Sequence, residues 1–220
     1  MELVLGMASL ETAEADRPKR SYHHGNLREA LLGATHHIVE NDGLEAVSLR
    51  AIARKAGVSH GAPANHFASK QELLTAYVAD AFAGLADVCE DLYANSIDLP
   101  PRDQFLRIAT VLLNFALQRP NTFRLMMRSE WFDTEQAEVK TPRQRIYNIL
   151  EGHLIQQNQK AVQPRFAART KAIAAWSLIH GYATLRSEGV LSSGKDEISG
   201  EDRALSILQA LMDGIQEPSD

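Results

Sequence analysis

The chain has 220 residues, 45% of them hydrophobic and 23% charged, with a formal net charge of −5. That length buries a sizeable core in one or two domains. Its single cysteine, Cys89, excludes an intrachain disulfide framework, and no apolar run approaches the length of a membrane span, so a soluble, cytoplasmic protein is expected.

Residues 1–16 carry four acids and no base, and lack both the basic start and the apolar centre of a secretory leader, so they read as a mobile acidic tail. Residues 17–70 reverse the balance to +4, and residues 71–220 return to −5. Within the basic segment Asn26 is placed to cap a first helix, with Glu29 at the capping-box position and Leu27, Ala30, Leu31, Ala34 and Ile38 as its apolar stripe. Asn41-Asp42-Gly43 stops it. Ser48 caps a second helix whose Leu49, Ile52, Ala53 and Ala56 recur at helical spacing, and Gly57 suits the left-handed position that ends it. Ser59 is placed to cap a third helix over residues 59–66, with Pro63 in or just past its first turn. Ser69 and Glu72 then form an S-x-x-E box opening a longer helix. Two short helices about a tight glycine turn, on a basic segment, are the layout that lays one helix into the major groove of double-stranded DNA.

Roles follow from residue type and place. Ser59, His60, Gly61, Ala64 and Asn65 belong to the groove-facing helix. His60 can donate to guanine or phosphate, Asn65 suits a bidentate pair with adenine, Ala64 offers a methyl to thymine, and the small residues leave the base edges open. Ser48, Arg50 and Lys70 fall at helix N-terminal positions near the phosphates, and Tyr22, His23 and His24 lead along the strand into the first helix. His66 and Phe67 read as packing residues.

The remainder also reads as helices. Leu73, Leu74, Tyr77, Val78, Ala81, Phe82 and Leu85 stripe the helix from Ser69. Pro100-Pro101 marks a break, a helix of about 103–118 follows, and Asn121 opens a short one. Pro142 is placed near the start of a helix holding Ile146, Ile149, Leu150 and Leu154. Pro164 precedes a helix to about Glu188, and a loop rich in Ser and Gly leads to a last helix with Leu205, Leu208 and Leu211. No segment alternates at period two, so the fold class is all-α. Phe115, Phe123, Met126, Met127, Trp131, Tyr147, Trp176 and His180 are expected to line a cavity for a small-molecule effector, because Met and amphipathic aromatics suit apolar ligands.

The run from Tyr22 to Phe82, with its G-V-S…H-F…K…L spacing, resembles the N-terminal domain of TetR-type regulators. Trp176, His180 and Gly181, in Trp-x-x-x-His-Gly spacing, and the segment Arg119 to Met126 resemble one C-terminal domain class of that family, the Trp-His-Gly class. The resemblance implies a helix-turn-helix DNA-binding domain at 17–70, and a helical effector-binding and dimerisation domain at 71–220. The function it implies is that of a repressor released from a palindromic operator by a small molecule. It also implies a homodimer through the last two helices, for which Ala172, Ala175, Gly181 and Ala183 allow close approach and Leu205, Leu208 and Leu211 give apolar contact. The family usually has Tyr where Ala64 stands, holding a phosphate, so one anchor is absent here.

An enzyme is not expected. Six of the eight histidines lie within residues 17–70, but His23-His24 and His36-His37 make no i, i+4 ligand pair, and no H-E-x-x-H, C-x-x-C, G-x-S-x-G or phosphate loop occurs. No catalytic residue, metal site, cofactor or membrane partner is expected.

Overall fold

The computed structural model of the chain describes residues 27–157, 164–191, 194–195 and 202–215. The tail at 1–16, the lead-in residues Tyr22, His23 and His24, and the Asn26 cap lie outside them. Eight α-helices are described: α1 Leu27–Asn41, α2 Leu49–Lys55, α3 Lys70–Ala94, α4 Pro101–Gln118, α5 Pro120–Met126, α6 Ala137–Gln157, α7 Pro164–Ser187 and α8 Arg203–Ile215. Among the described residues there is no strand, and an isolated antiparallel bridge joins Lys195 to Asp202.

Local chemistry sets most of the ends. Ser48 Oγ accepts the Ala51 N–H at 3.1 Å, satisfying one orphan donor of α2. Gly57 adopts φ 70°, while its N–H reaches Arg54 and the Val58 N–H reaches Ala53, the paired bonds of a Schellman stop. Gly43, at φ 86°, turns the chain after α1. Ser69 Oγ accepts the Glu72 N–H at 3.1 Å, but Glu72 returns its carboxylate to Ala68 N–H at 2.6 Å, one residue upstream of the usual reciprocal partner. Pro142 sits inside α6 instead of near its start, because the helix begins at Ala137. Pro142 therefore leaves the Glu138 carbonyl without its helical donor.

The stripe of α1 is Leu31, Leu32, Ala34, Thr35, Ile38 and Val39, with Ala30 outside it and exposed. This face packs on α2, α3 and α5. The 25-residue α3 spans about 37 Å at the rise of an α-helix. It packs along α6 and touches α1, α4 and α5 on the way, so one continuous hydrophobic cluster runs from Leu31 through Leu74 and Leu112 to Met212. Cys89 lies within it, and burial pushes its thiol up to about 12, so no thiolate is available near neutral pH.

The small residues of α7 have a different place from the one expected. Ala172, Ala175 and Ala183 are buried in this chain's own core, as is Leu208 of α8, so they do not form an outward face. Instead Ile173 and Leu185 stand exposed, with Leu178 half-buried between them.

Candidate nucleic-acid interface and effector cavity

The third element is not an α-helix over 59–66. Residues 59–61 form a turn, and a 3-10 helix covers only Ala62–Asn65. Pro63 is the reason. It has no N–H to give the Ser59 carbonyl, which accepts Ala62 N–H at 3.0 Å in a tighter i+3 bond. Ala64 N–H to Gly61 follows the same pattern at 3.2 Å. Ser59 therefore closes a turn through its carbonyl, and no side-chain cap bond is made at this element.

The element nevertheless faces outward. Ser59, His60, Gly61, Ala64 and Asn65 are exposed, while Pro63 and Phe67 are buried and anchor it. His66, expected to pack with Phe67, is exposed instead, its ring 6.5 Å from that of Phe67. Ser48 and Arg50 are exposed at the start of α2, as are Arg54 and Lys55 at its end. No acidic residue occurs between Glu45 and Glu72, so this surface is basic without internal neutralisation.

Lys70 stands apart from the other cations. It is half-buried, its Nζ lies 4.7 Å from the centroid of the Trp131 ring, and burial lowers its pKa, with Glu45 pulling the other way. The ammonium rests on one aromatic face and keeps N–H donors for other partners.

Two cavities open behind this head. One, of about 200 Å³, is lined by Phe82 of α3, Met126 of α5, Met127, Ser129, Phe132 and Thr134 of the segment after it, Arg143, Ile146, Tyr147 and Leu150 of α6, and Trp176 of α7. The other, of about 310 Å³, is more polar and lies among Phe123, Arg124, Arg128, His180 and Thr184, sharing Met127 with the first. Of the residues expected to form one wall, Met126, Met127, Tyr147 and Trp176 meet in the first cavity, and Phe123 and His180 in the second. Phe123 stands between them, 6.1 Å from the Trp176 ring and 5.5 Å from that of His180. The Nδ1 of His180 is buried without a hydrogen-bond partner among the described residues, in place of the carbonyl pairing such a residue usually finds.

Phe115 and Trp131 lie outside both walls. Phe115 is one turn before Arg119 on α4 and takes that guanidinium at 5.9 Å; Trp131 is the platform for Lys70. Sequence reading missed Phe82, Phe132, Ser129, Thr134, Arg143, Ile146 and Leu150. The signal for three of these was present: 143, 146, 147 and 150 share one face at i, i+3, i+4 and i+7.

Three joints tie the candidate DNA-facing head to these cavities. At the end of α1, Glu40 reaches the start of α5. Its carboxylate accepts Thr122 N–H at 2.7 Å, Asn121 N–H at 3.4 Å and the Thr122 hydroxyl, while its carbonyl accepts Asn121 Nδ2 at 3.1 Å. A carboxylate there complements the partial positive charge of the helix N-terminus and replaces a cap that α5's own sequence lacks. The second joint runs from His36 Nδ1 to the Tyr77 hydroxyl at 2.9 Å and on to Thr122 Oγ1 at 2.5 Å. Burial pushes that phenol up to about 12, which keeps it protonated. The third is the segment between α5 and α6: Trp131 meets Lys70, and Asp133 N–H donates to Thr75 Oγ1 at 2.9 Å. The neighbours Ser129, Phe132 and Thr134 on that segment line the first cavity.

Residues 31–77 match the family model described as bacterial regulatory proteins, tetR family, and residues 105–214 match tetracyclin repressor-like, C-terminal domain. No curated protein matches the chain. Among solved structures, a protein of unknown function from Rhodococcus sp. RHA1 is 27% identical, covering 90% of this chain and 97% of that one at TM-score 0.68. A TetR family transcription regulator from Marinobacter aquaeolei is 23% identical over 84% of this chain and 94% of that one, TM-score 0.60. The transcriptional regulator FadR from Bacillus subtilis, in complex with stearoyl-CoA, shares the fold at 12% identity over 87% and 99%, TM-score 0.63.

Proposed function

The chain belongs to the TetR family of bacterial regulatory proteins and is a DNA-binding transcriptional regulator, and on that premise we propose that it is a repressor released from a palindromic operator by a small molecule. One observation supports this above the others: an outward element, Ser59–His66, anchored by Pro63 and Phe67, on a stretch free of acidic residues. Selecting bound duplexes from a random library is the direct test. A twofold-symmetric consensus supports the reading, and indifference to sequence in dilute buffer ends it.

His60, Ala64 and Asn65 read bases, Gly61 permits close approach, and Ser48, Arg50, Ser59 and Lys70 position the phosphates. Tyr22, His23 and His24 extend the backbone contact. Asn65→Ala is expected to relax preference for one base pair at a cost of about 1–3 kcal/mol there. Lys70→Ala is expected to weaken all sequences alike and reduce the magnitude of the salt slope by about 1. Footprinting and salt titration of both variants check the assignment, and interchanged phenotypes would refute it.

Two copies reading half-sites about 34–36 Å apart require a dimer. The outward stripe Ala174, Leu178 and Leu185 of α7, with Ile173 beside it and α8 alongside, supports an interface between paired α7–α8 hairpins. Leu185 is 41% exposed, so Leu185→Glu leaves the core intact. It is expected to give a monomer by light scattering at micromolar concentration and to weaken operator binding at least tenfold. A dimer that survives this change places the interface elsewhere. Trp176, His180 and Gly181 support membership of the Trp-His-Gly class for the C-terminal half.

The mechanism is two-state. An effector between α3, α5, α6 and α7 favours one placement of α5 and the 127–134 segment, and the three joints pass that placement to α1 and to the start of α3. Effector and operator then weaken each other by the same factor. If titrating cell metabolites never shifts operator affinity, release by ligand is wrong while DNA binding stands.

A further inference from the structure

The first cavity is apolar apart from the hydroxyls of Ser129, Thr134 and Tyr147 and one cation, Arg143. Resting on the reading of this cavity as the effector site, we infer that its ligand is a small amphipathic carboxylate, with the carboxylate held by Arg143 and an apolar body laid against Phe82, Ile146, Leu150 and Trp176.

α6 bears two arginines two positions apart with opposite circumstances. Arg145 is fully matched: its guanidinium donates to Glu90 at 2.7 and 2.5 Å and to Asp87 at 2.7 Å. Arg143, half-buried in the cavity wall, has no hydrogen bond or ion pair with any described residue. Four acids of the neighbouring segments have partners of their own. Asp87 and Glu90 are on Arg145, Glu135 is on Lys140 at 2.5 Å, and Asp133 accepts the Glu135 N–H at 2.9 Å. A guanidinium partly removed from water and left without an anion is an unfavourable arrangement that a bound carboxylate relieves. Its planar fork matches a carboxylate with two parallel bonds, which a point-charge ammonium does not reproduce. Size narrows the body. An apolar cavity of roughly 150 Å³ admits one benzene ring, and this one, of about 200 Å³ and open on one side, has room for a single ring with a short acid arm.

The probes are 3-phenylpropionate and its uncharged amide, titrated into the full chain with tryptophan fluorescence and melting temperature as readouts. The acid is expected to bind at least tenfold more tightly than the amide, the range of a charge-assisted hydrogen bond. Arg143→Gln should abolish that preference, lowering the acid's affinity at least tenfold more than the amide's, and Arg143→Lys should keep part of it. Equal binding of acid and amide to the unaltered chain, or a preference that survives Arg143→Gln, overturns the inference and leaves the cavity standing as an effector site. An amide affinity that falls by the same factor as the acid's also overturns it, since Arg143 would then shape the cavity without meeting a charge. If neither probe binds or moves the melting temperature, the carboxylate inference fails and the cavity reading loses its support with it.

Discussion

Glu40→Ala is expected to leave a chain that binds its operator and no longer responds to effector. The side chain lies outside the candidate DNA face, so the basic surface of α2 and the Ser59–His66 element keep their charges. What changes is the start of α5. Two backbone N–H groups and the Thr122 hydroxyl lose their acceptor at once, and α5 has no side-chain cap of its own to substitute. Losing a charged acceptor at a partly buried helix N-terminus costs about 2–3 kcal/mol by the usual scale of charge-assisted bonds and caps. The functional loss follows from the same geometry. α5 supplies Met126 to the candidate effector cavity, and Glu40 is its most direct bond to α1. Without it, a displacement of α5 reaches the head through the Asn121 bond to the residue-40 carbonyl, Tyr77 and the Trp131 segment, all without the charged contact, so the ratio of operator affinities with and without effector is expected to fall at least tenfold. Urea unfolding gives the first number and operator titration the second. A stability loss with full retention of the response would move the coupling onto the Lys70–Trp131 contact, and Trp131→Ala would then be the decisive variant.

The parts of this protein that were legible beforehand are those governed by neighbours in the chain. Ser48 and Ser69 cap because a hydroxyl in extended backbone reaches an N–H three residues on, and Gly43 and Gly57 end helices because they reach positive φ at low cost. Where a backbone rule and a stripe disagreed, the backbone rule won. Pro63 deletes one donor, and the expected eight-residue helix contracts to a turn and four 3-10 residues. Side-chain destinations were less legible because they depend on which helix arrives opposite. Trp131 has the composition of a pocket residue, but its segment passes the start of α3, where Lys70 meets the ring. Arg143 shares a helix face with Ile146, Tyr147 and Leu150, but that this face lines a cavity depends on the convergence of α3, α5 and α7 on α6. Ala172, Ala175 and Ala183 have the small side chains of a dimer seam, yet α4 and α6 already occupy that approach to α7.

Phe67→Ala is expected to be the most damaging single change to the candidate DNA-facing head. Phe67 is 3% exposed, and its backbone N–H closes the 3-10 element onto Pro63 at 2.9 Å. The Arg28 guanidinium lies 5.7 Å from its ring centroid, joining α1 to the same anchor. A four-residue 3-10 helix has little cooperative stability of its own, so its position is set by the two buried side chains beneath it, Pro63 and Phe67. Truncating a buried Phe typically costs about 3–5 kcal/mol in lost transfer and cavity terms. Part of that loss falls on the local placement of His60, Ala64 and Asn65, so operator affinity is expected to drop at least tenfold at temperatures where the chain remains folded. His66→Ala is the control. Its side chain is exposed on the next residue, and surface changes of that kind stay within about 0.5 kcal/mol. Urea unfolding and operator titration of the pair distinguish anchoring from contact. If His66→Ala abolishes binding while Phe67→Ala leaves it unchanged, the element is held by something other than its buried side chains, and His66 joins the residues that touch DNA.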